Sequence, residues 1–204
     1  MTSFGATILD ADGLKLTADE KSFFRDVTPF GFILFARNID TPEQVRALCD
    51  ELRDSVGRDA PITIDQEGGR VQRLRAPLWT EWLPPLDFVA AAGEHAEEAM
   101  YLRYRLIAAE LFDLGIDSNC APMVDVACDA THDFLRNRCY GTHAETVARL
   151  GRAASDGMLA GGVLPVIKHI PGHGRATLDS HYDLPRVMAE LDELTASDFA
   201  PFAA

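Results

Sequence analysis

The stretch Gly161-Gly-Val-Leu-Pro-Val-Ile-Lys-His-Ile-Pro-Gly-His-Gly-Arg-Ala-Thr-Leu-Asp-Ser-His-Tyr-Asp183 joins a short apolar run to a dense polar one. Val163 to Ile167 has the length and composition of a buried parallel strand, which shows no polar alternation because both faces are covered. The polar cluster therefore sits at a strand's C-terminal end, where open α/β sheets and barrels alike do their chemistry. Pro171, Gly172 and Gly174 exclude a regular helix, so the segment reads as a loop. Asp179 and His181 stand two apart. If the chain is extended there, both side chains point to one side and can share a carboxylate–imidazole hydrogen bond.

Outward from this stretch, the same unit recurs towards the N-terminus. Phe4 to Leu9, Gly31 to Phe35, Pro61 to Ile64 and Ile116 to Met123 read as four earlier strands, each followed by a helical pattern. Thr17 with Glu20, and Thr142 with Glu145, form capping-box patterns. Thr41-Pro42 sets a helix start, with Val45, Leu48, Cys49, Leu52 and Val56 on one face. A long helix is predicted from Glu94 to Leu114, halted by Gly115. Leu83-Pro84-Pro85-Leu86 reads as a loop. Strand and helix thus alternate five times, which requires a parallel sheet, doubly wound or closed as a barrel. Asp10, Arg37-Asn38, Asp65-Gln66-Glu67, Asp125 and Lys168-His169 each follow a different strand, and a barrel brings that many strand ends around one pocket. No glycine-rich phosphate loop follows a strand.

At 204 residues the chain holds one well-filled core. Its 47% hydrophobic and 25% charged residues exclude a disordered chain. Asp and Glu number 32 against 19 Lys and Arg, a formal charge of -13. That balance argues against nucleic acid or an anionic membrane as partner and favours a small soluble substrate. Cys49, Cys120, Cys128 and Cys139 lack metal-ligand spacing and read as free thiols of a reducing compartment. Neither a leader-like opening nor a membrane-length apolar run is present, so the expected location is cytoplasmic.

Two further clusters carry charge: Asp65-Gln-Glu-Gly-Gly-Arg-Val-Gln-Arg73, and Leu135-Arg-Asn-Arg-Cys-Tyr-Gly141. Taken singly, a strand-end Asp is more often a helix cap than a catalyst, and an Arg in an acidic protein is usually a surface ion pair. Taken together, in this order, with Ala121-Pro-Met-Val-Asp125, Arg138 and Lys168-His-Ile-Pro-Gly-His-Gly-Arg-Ala-Thr-Leu-Asp-Ser-His181, they resemble the NagZ-type β-N-acetylglucosaminidases of glycoside hydrolase family 3. The resemblance covers nearly the whole chain.

It implies an α/β fold, a (β/α)8 barrel of which residues 1–204 form a single catalytic domain supplying about the first five βα units, truncated at its C-terminal end. It implies a cytoplasmic enzyme, monomeric at full length. That enzyme would release terminal non-reducing β-linked N-acetylglucosamine from anhydro-muropeptides (GlcNAc-anhydroMurNAc and its peptides) in peptidoglycan recycling, with retention of configuration and no cofactor. His181 would be the general acid/base and Asp179 its orienting partner, while Asp65, Arg73, Arg138, Lys168 and His169 would bind the terminal sugar. His173 is assigned to loop structure. No residue here matches the family's nucleophilic aspartate, so the 204 residues alone are expected to be inactive. Two other readings are an inactive sugar-binding piece and a metal-dependent hydrolase using His169, His173, Asp179 and His181. Pro171 and the flanking glycines weigh against the latter, because they remove the helix that would put His169 and His173 on one face.

Overall fold

The computed structural model describes residues 4–204; Met1–Ser3, part of the opening read above as lacking a leader, lie outside the described residues. Strands β1 (Gly5–Leu9), β2 (Pro29–Leu34), β3 (Ile62–Ile64), β6 (Ser118–Asn119) and β7 (Leu164–Pro165) form one sheet in the order β1-β2-β3-β6-β7. Every pairing is parallel. Spatial order follows chain order without reversal, whereas a doubly wound sheet reverses at a switch point. The sheet is therefore a singly wound arc, as in part of a barrel. A two-stranded antiparallel hairpin, β4 (Gln66–Gly68) and β5 (Val71–Gln72), stands apart from it.

The crossovers are helical: α1 (Ala18–Val27), α2 (Pro42–Val56), α3 (Pro85–Ala92) with α4 (Ala96–Asp113), and α6 (Ala144–Ala160). Short helices α5 (Asp133–Arg136), α7 (Leu191–Ala196) and α8 (Ala200–Ala203) lie within or after the long loops. Thr17 and Glu20 make the predicted capping box at α1, and Thr41 caps α2 ahead of Pro42. Between the sheet and the helices lies the core, in which Leu34, Leu52, Ile62, Ile64, Met100, Ile107, Leu111, Val147 and Met158 have no exposed surface. Each such side chain contributes about 1.5–3 kcal/mol of transfer free energy. Helices α4 and α6 approach so closely that a Cβ on Gly157 would collide with the Tyr101 carbonyl. The opposite face of the sheet is open, and Ile8, Phe30, Leu164 and Val166 are exposed there.

Several expectations need correction. The fourth and fifth strands keep ladder geometry over only two residues each. Pro122 and Pro165 remove donors at those points, although Val124 N–H still bonds the Lys168 carbonyl and Lys168 N–H the Pro122 carbonyl. Leu83–Leu86 is not all loop, because Pro85 opens α3 from its favoured first-turn position. The hairpin β4–β5 was not foreseen. Helix α6 follows His143, which stands at its N-cap position without a side-chain cap, and lacks the Thr142 box; the Thr142 hydroxyl meets His143 Nδ1 instead. All four cysteines are free, and burial pushes the Cys49 and Cys139 thiols up to about 12. No helix among the described residues is long and apolar enough to cross a membrane.

Candidate active site

At the end of β3 the chain delivers Asp65, then doubles back through the hairpin, which turns at Gly69 (φ 59°) and Arg70 directly after Gly68 (φ 110°). A side chain at either glycine would be strained. Asn119, at the end of β6, pins the hairpin by accepting from Gln66 N–H and donating to the Gln66 carbonyl, both at 3.0 Å. This arrangement turns Glu67 inward and brings Arg73 back to Asp65. Asp65 accepts hydrogen bonds from Lys168 Nζ at 2.9 Å and Arg73 Nη2 at 3.0 Å. Glu67 accepts a two-pronged pair from Arg138, at 2.9 and 2.8 Å, and meets Lys168 Nζ at 2.5 Å. Burial alone would raise both carboxyls, but the neighbouring cations outweigh it and hold both below their ordinary values. For Lys168 the balance mirrors this: burial favours the neutral amine, Glu67 and Asp65 outweigh it, and its pKa is raised.

Asp125, past β6 and fully buried, organises the histidine loop. One of its oxygens meets His169 Nδ1 at 2.6 Å, and the other accepts His173 N–H at 2.6 Å. The loop is held further down by Thr131, whose hydroxyl donates to the Gly174 carbonyl at 2.6 Å. A Cβ on Gly174 would overlap the Val126 carbonyl, so only glycine fits. His173 Nε2 meets Ser180 Oγ at 3.0 Å, joining the loop's two halves.

Asp179 and His181 do pair, with Asp179 Oδ1 2.6 Å from His181 Nδ1, but not through an extended chain. The same oxygen accepts His181 N–H at 3.0 Å, and the Asp179 carbonyl accepts from Tyr182 and Asp183 N–H groups. This is a side-chain-closed turn of the kind Asp favours, and it corrects the expected geometry. The backbone bond from His181, ahead of its ring bond and charge, lowers the Asp179 carboxyl below its ordinary value.

A cavity of about 510 Å³ is lined by His181, Asp65, Arg73, Arg138, Lys168 and His169. Of the residues to which the resemblance assigned a catalytic or sugar-binding role, only Asp179 is not on its wall; it stands behind His181. Of the strand-end groups expected around one pocket, Asp10, Arg37, Asn38 and Asp125 do not line it, and Arg37 pairs with Asp10 instead. Arg70, Phe134, His173 and Ser180 also line the cavity, with Ile33, Val71, Cys120 and Val166. Phe134 was not singled out, yet its ring lies edge-on to His173 at 5.7 Å and to His181 at 5.9 Å, and Arg70 sits 5.8 Å from its centroid. Its position two residues before the Arg136-Asn137-Arg138 run was the only signal available. Arg136 itself turns away and donates to the Cys128 and Asp129 carbonyls. Among the described residues no group of three or more His, Cys, Asp or Glu side chains converges as a metal site, and His169 and His181 each commit Nδ1 to an aspartate. A second depression of about 470 Å³, walled by Glu94, Glu97, Glu98 and Asp156, contains none of the residues to which the sequence assigned a catalytic or binding role.

The description "Glycosyl hydrolase family 3 N terminal domain" fits residues 7–204. A β-hexosaminidase of Methylococcus capsulatus is 39% identical over 197 residues, covering 97% of this chain and 58% of the relative. One from Pseudomonas aeruginosa is 38% identical over 204 residues, covering 98% and 58%. NagZ from Neisseria gonorrhoeae, solved in complex with N-trifluoroacetyl-D-glucosamine, superposes with a TM-score of 0.90 at 35% identity, over 98% of this chain and 59% of that one. The chain thus spans a little under three fifths of the length of these relatives.

Proposed function

This chain belongs to the glycosyl hydrolase family 3 N-terminal domain family, and from that membership we propose that it forms one catalytic domain of a retaining β-N-acetylhexosaminidase. The substrate is a terminal, non-reducing, β-linked N-acetylglucosamine on an anhydro-muropeptide, released in the cytoplasm during peptidoglycan recycling. The observation that carries the reading is the convergence of an Asp179-braced imidazole with Asp65, Arg73, Arg138, Lys168 and His169 on one cavity. The β-hexosaminidase names of the relatives and the glucosamine analogue bound to the gonococcal protein agree with it.

On this reading the charged donors and the Asp65 acceptor hold the sugar hydroxyls. His181 commits Nδ1 to Asp179, which leaves Nε2 to give a proton to the departing glycosidic oxygen and later to take one from water. Retention also requires a nucleophilic carboxylate. Asp65 and Glu67 are bound to cations and Asp125 to His169, so none of them is assigned that role.

The test is His181→Ala in the full-length protein. Turnover of a natural disaccharide should fall by about 10²–10⁴, the usual worth of general acid–base catalysis. An aryl N-acetylglucosaminide, whose good leaving group needs little protonation, should lose much less. Equal losses on both would remove His181 from the acid role. The pairing of every cavity carboxylate favours one other reading, sugar binding without hydrolysis, which binding of N-acetylglucosamine with no turnover would establish.

A further inference from the structure

Glu67 does not line the cavity, yet it holds two residues that do. Its side chain is 1% exposed. Among the described residues, Arg138 directs its side-chain hydrogen bonds to Glu67 alone, through Nε and Nη2. Lys168 divides its ammonium between Glu67 at 2.5 Å and Asp65 at 2.9 Å. Each cation therefore keeps part of its donor set free: Nη1 on Arg138, and one N–H on Lys168. The two-pronged geometry fixes the plane of the guanidinium, and the shared ammonium fixes the third N–H.

The carboxylate is itself mounted on a rigid support. Arg103, buried on α4, donates to the Glu67 carbonyl at 2.6 Å and to the Leu83 carbonyl at 2.8 Å. Its guanidinium packs 4.6 Å from the Phe88 ring centroid. A Cβ on Gly68 would collide with Arg103 and the Leu83 carbonyl, so Arg103 packs directly against the hairpin backbone where only glycine fits.

We propose that Glu67 is a positioning residue that sets the direction of the free Arg138 and Lys168 donors towards the sugar, with Arg103 fixing the backbone that carries it. This rests on the sugar-binding reading of the cavity. The sugar contacts it aims are made alike before and during reaction, so disturbing them raises KM more than it lowers kcat.

The experiment measures steady-state kinetics of the full-length protein on an aryl N-acetylglucosaminide, with N-acetylglucosamine binding followed in parallel. Glu67→Gln keeps the shape but removes the charge, and Glu67→Asp keeps the charge but cannot span both cations. Both should raise KM about tenfold or more while kcat stays within about threefold. In an Arg138→Met background, Glu67→Gln should add less than it does alone. Wild-type KM in both folded Glu67 variants overturns the inference while leaving the site reading intact. A loss confined to kcat, with KM unchanged, does the same. A wild-type protein that neither hydrolyses the substrate nor binds N-acetylglucosamine overturns the site reading, and the inference with it.

Discussion

Lys168→Met separates two contributions of one side chain. Nζ lies 2.9 Å from Asp65 and 2.5 Å from Glu67, and the side chain is only 13% exposed. Removing it leaves two buried carboxylates, with Arg73 still beside Asp65 and Arg138 still beside Glu67. Breaking a buried ion pair costs about 3–5 kcal/mol. Because both carboxylates keep an arginine, the lower end applies, about 3 kcal/mol, which a domain of ordinary stability survives. Binding of N-acetylglucosamine should weaken by about 10–100-fold, the worth of one hydrogen bond from a charged donor. The stability loss should also depend on pH. Both carboxyls lie below their ordinary values, so their pairing stabilises the native state above those values and is lost as the pH falls through the folded-state pKa. Without Lys168 the two carboxyls take up protons at higher pH, and the variant has less pairing left to lose. The gap between wild type and variant is then widest near neutrality and narrows as the pH falls below the ordinary values of 4.5 for Glu67 and 3.8 for Asp65. Urea unfolding at about pH 7 and about pH 3, with calorimetric titration of the sugar, measures both effects. An identical stability gap at the two pH values would refute the electrostatic reasoning, and unchanged sugar affinity would refute the assignment of Lys168 to the sugar.

Two further substitutions probe the histidine loop. Asp179→Asn retains an oxygen for His181 N–H but loses the charged acceptor that holds the ring by Nδ1, so turnover of the natural disaccharide should drop about three- to tenfold; Asp179→Ala, which also opens the turn, should cost more. Neither change should matter once His181 is alanine, and a full additional loss in that background would separate Asp179 from the imidazole. Gly174→Ala places a methyl group against the Val126 carbonyl and displaces the carbonyl that Thr131 holds. It should lower stability by about 1–3 kcal/mol and turnover by at least about tenfold, read by urea midpoint and initial rate, whereas a wild-type rate would show that the loop tolerates displacement.

The sheet was legible because each strand is an apolar run of its own, set off by a cap or glycine whose local physics suffices to start or stop a helix: Thr17 with Glu20 and Thr41 with Pro42 start one, and Gly115 stops one. What was not legible depends on distant partners. The hairpin after Asp65 exists because Asn119, more than fifty residues away, pairs with the Gln66 backbone, and no local pattern announces that. Glu67 sits in a motif whose outer members, Asp65 and Arg73, drew the attention, and its worth appears only when Arg138 closes on it. The Asp179–His181 spacing suggested the right pair for the wrong reason. Spacing of two serves an extended chain and an Asp-closed turn equally, and the Asp179 side chain decides for the turn by accepting His181 N–H.

The two Asp–His pairs on this cavity are chemically alike, each with Nδ1 held at 2.6 Å, and their surroundings separate them. Asp125 is completely buried and shares its carboxylate with the His173 backbone, so His169 is fixed from behind at the strand ends. His181 is 72% exposed and rests on a turn at the rim, against the edge of Phe134. A group that must hold a sugar hydroxyl benefits from rigidity, because any movement lost on binding has already been given up on folding. A group that must give a proton to one oxygen and then take one from incoming water needs access to solvent between the two steps. On the proposed reading the same pair of side chains would serve recognition where the fold immobilises it and proton transfer where the fold leaves it at the surface, and exchanging the environments, not the residues, would exchange the roles.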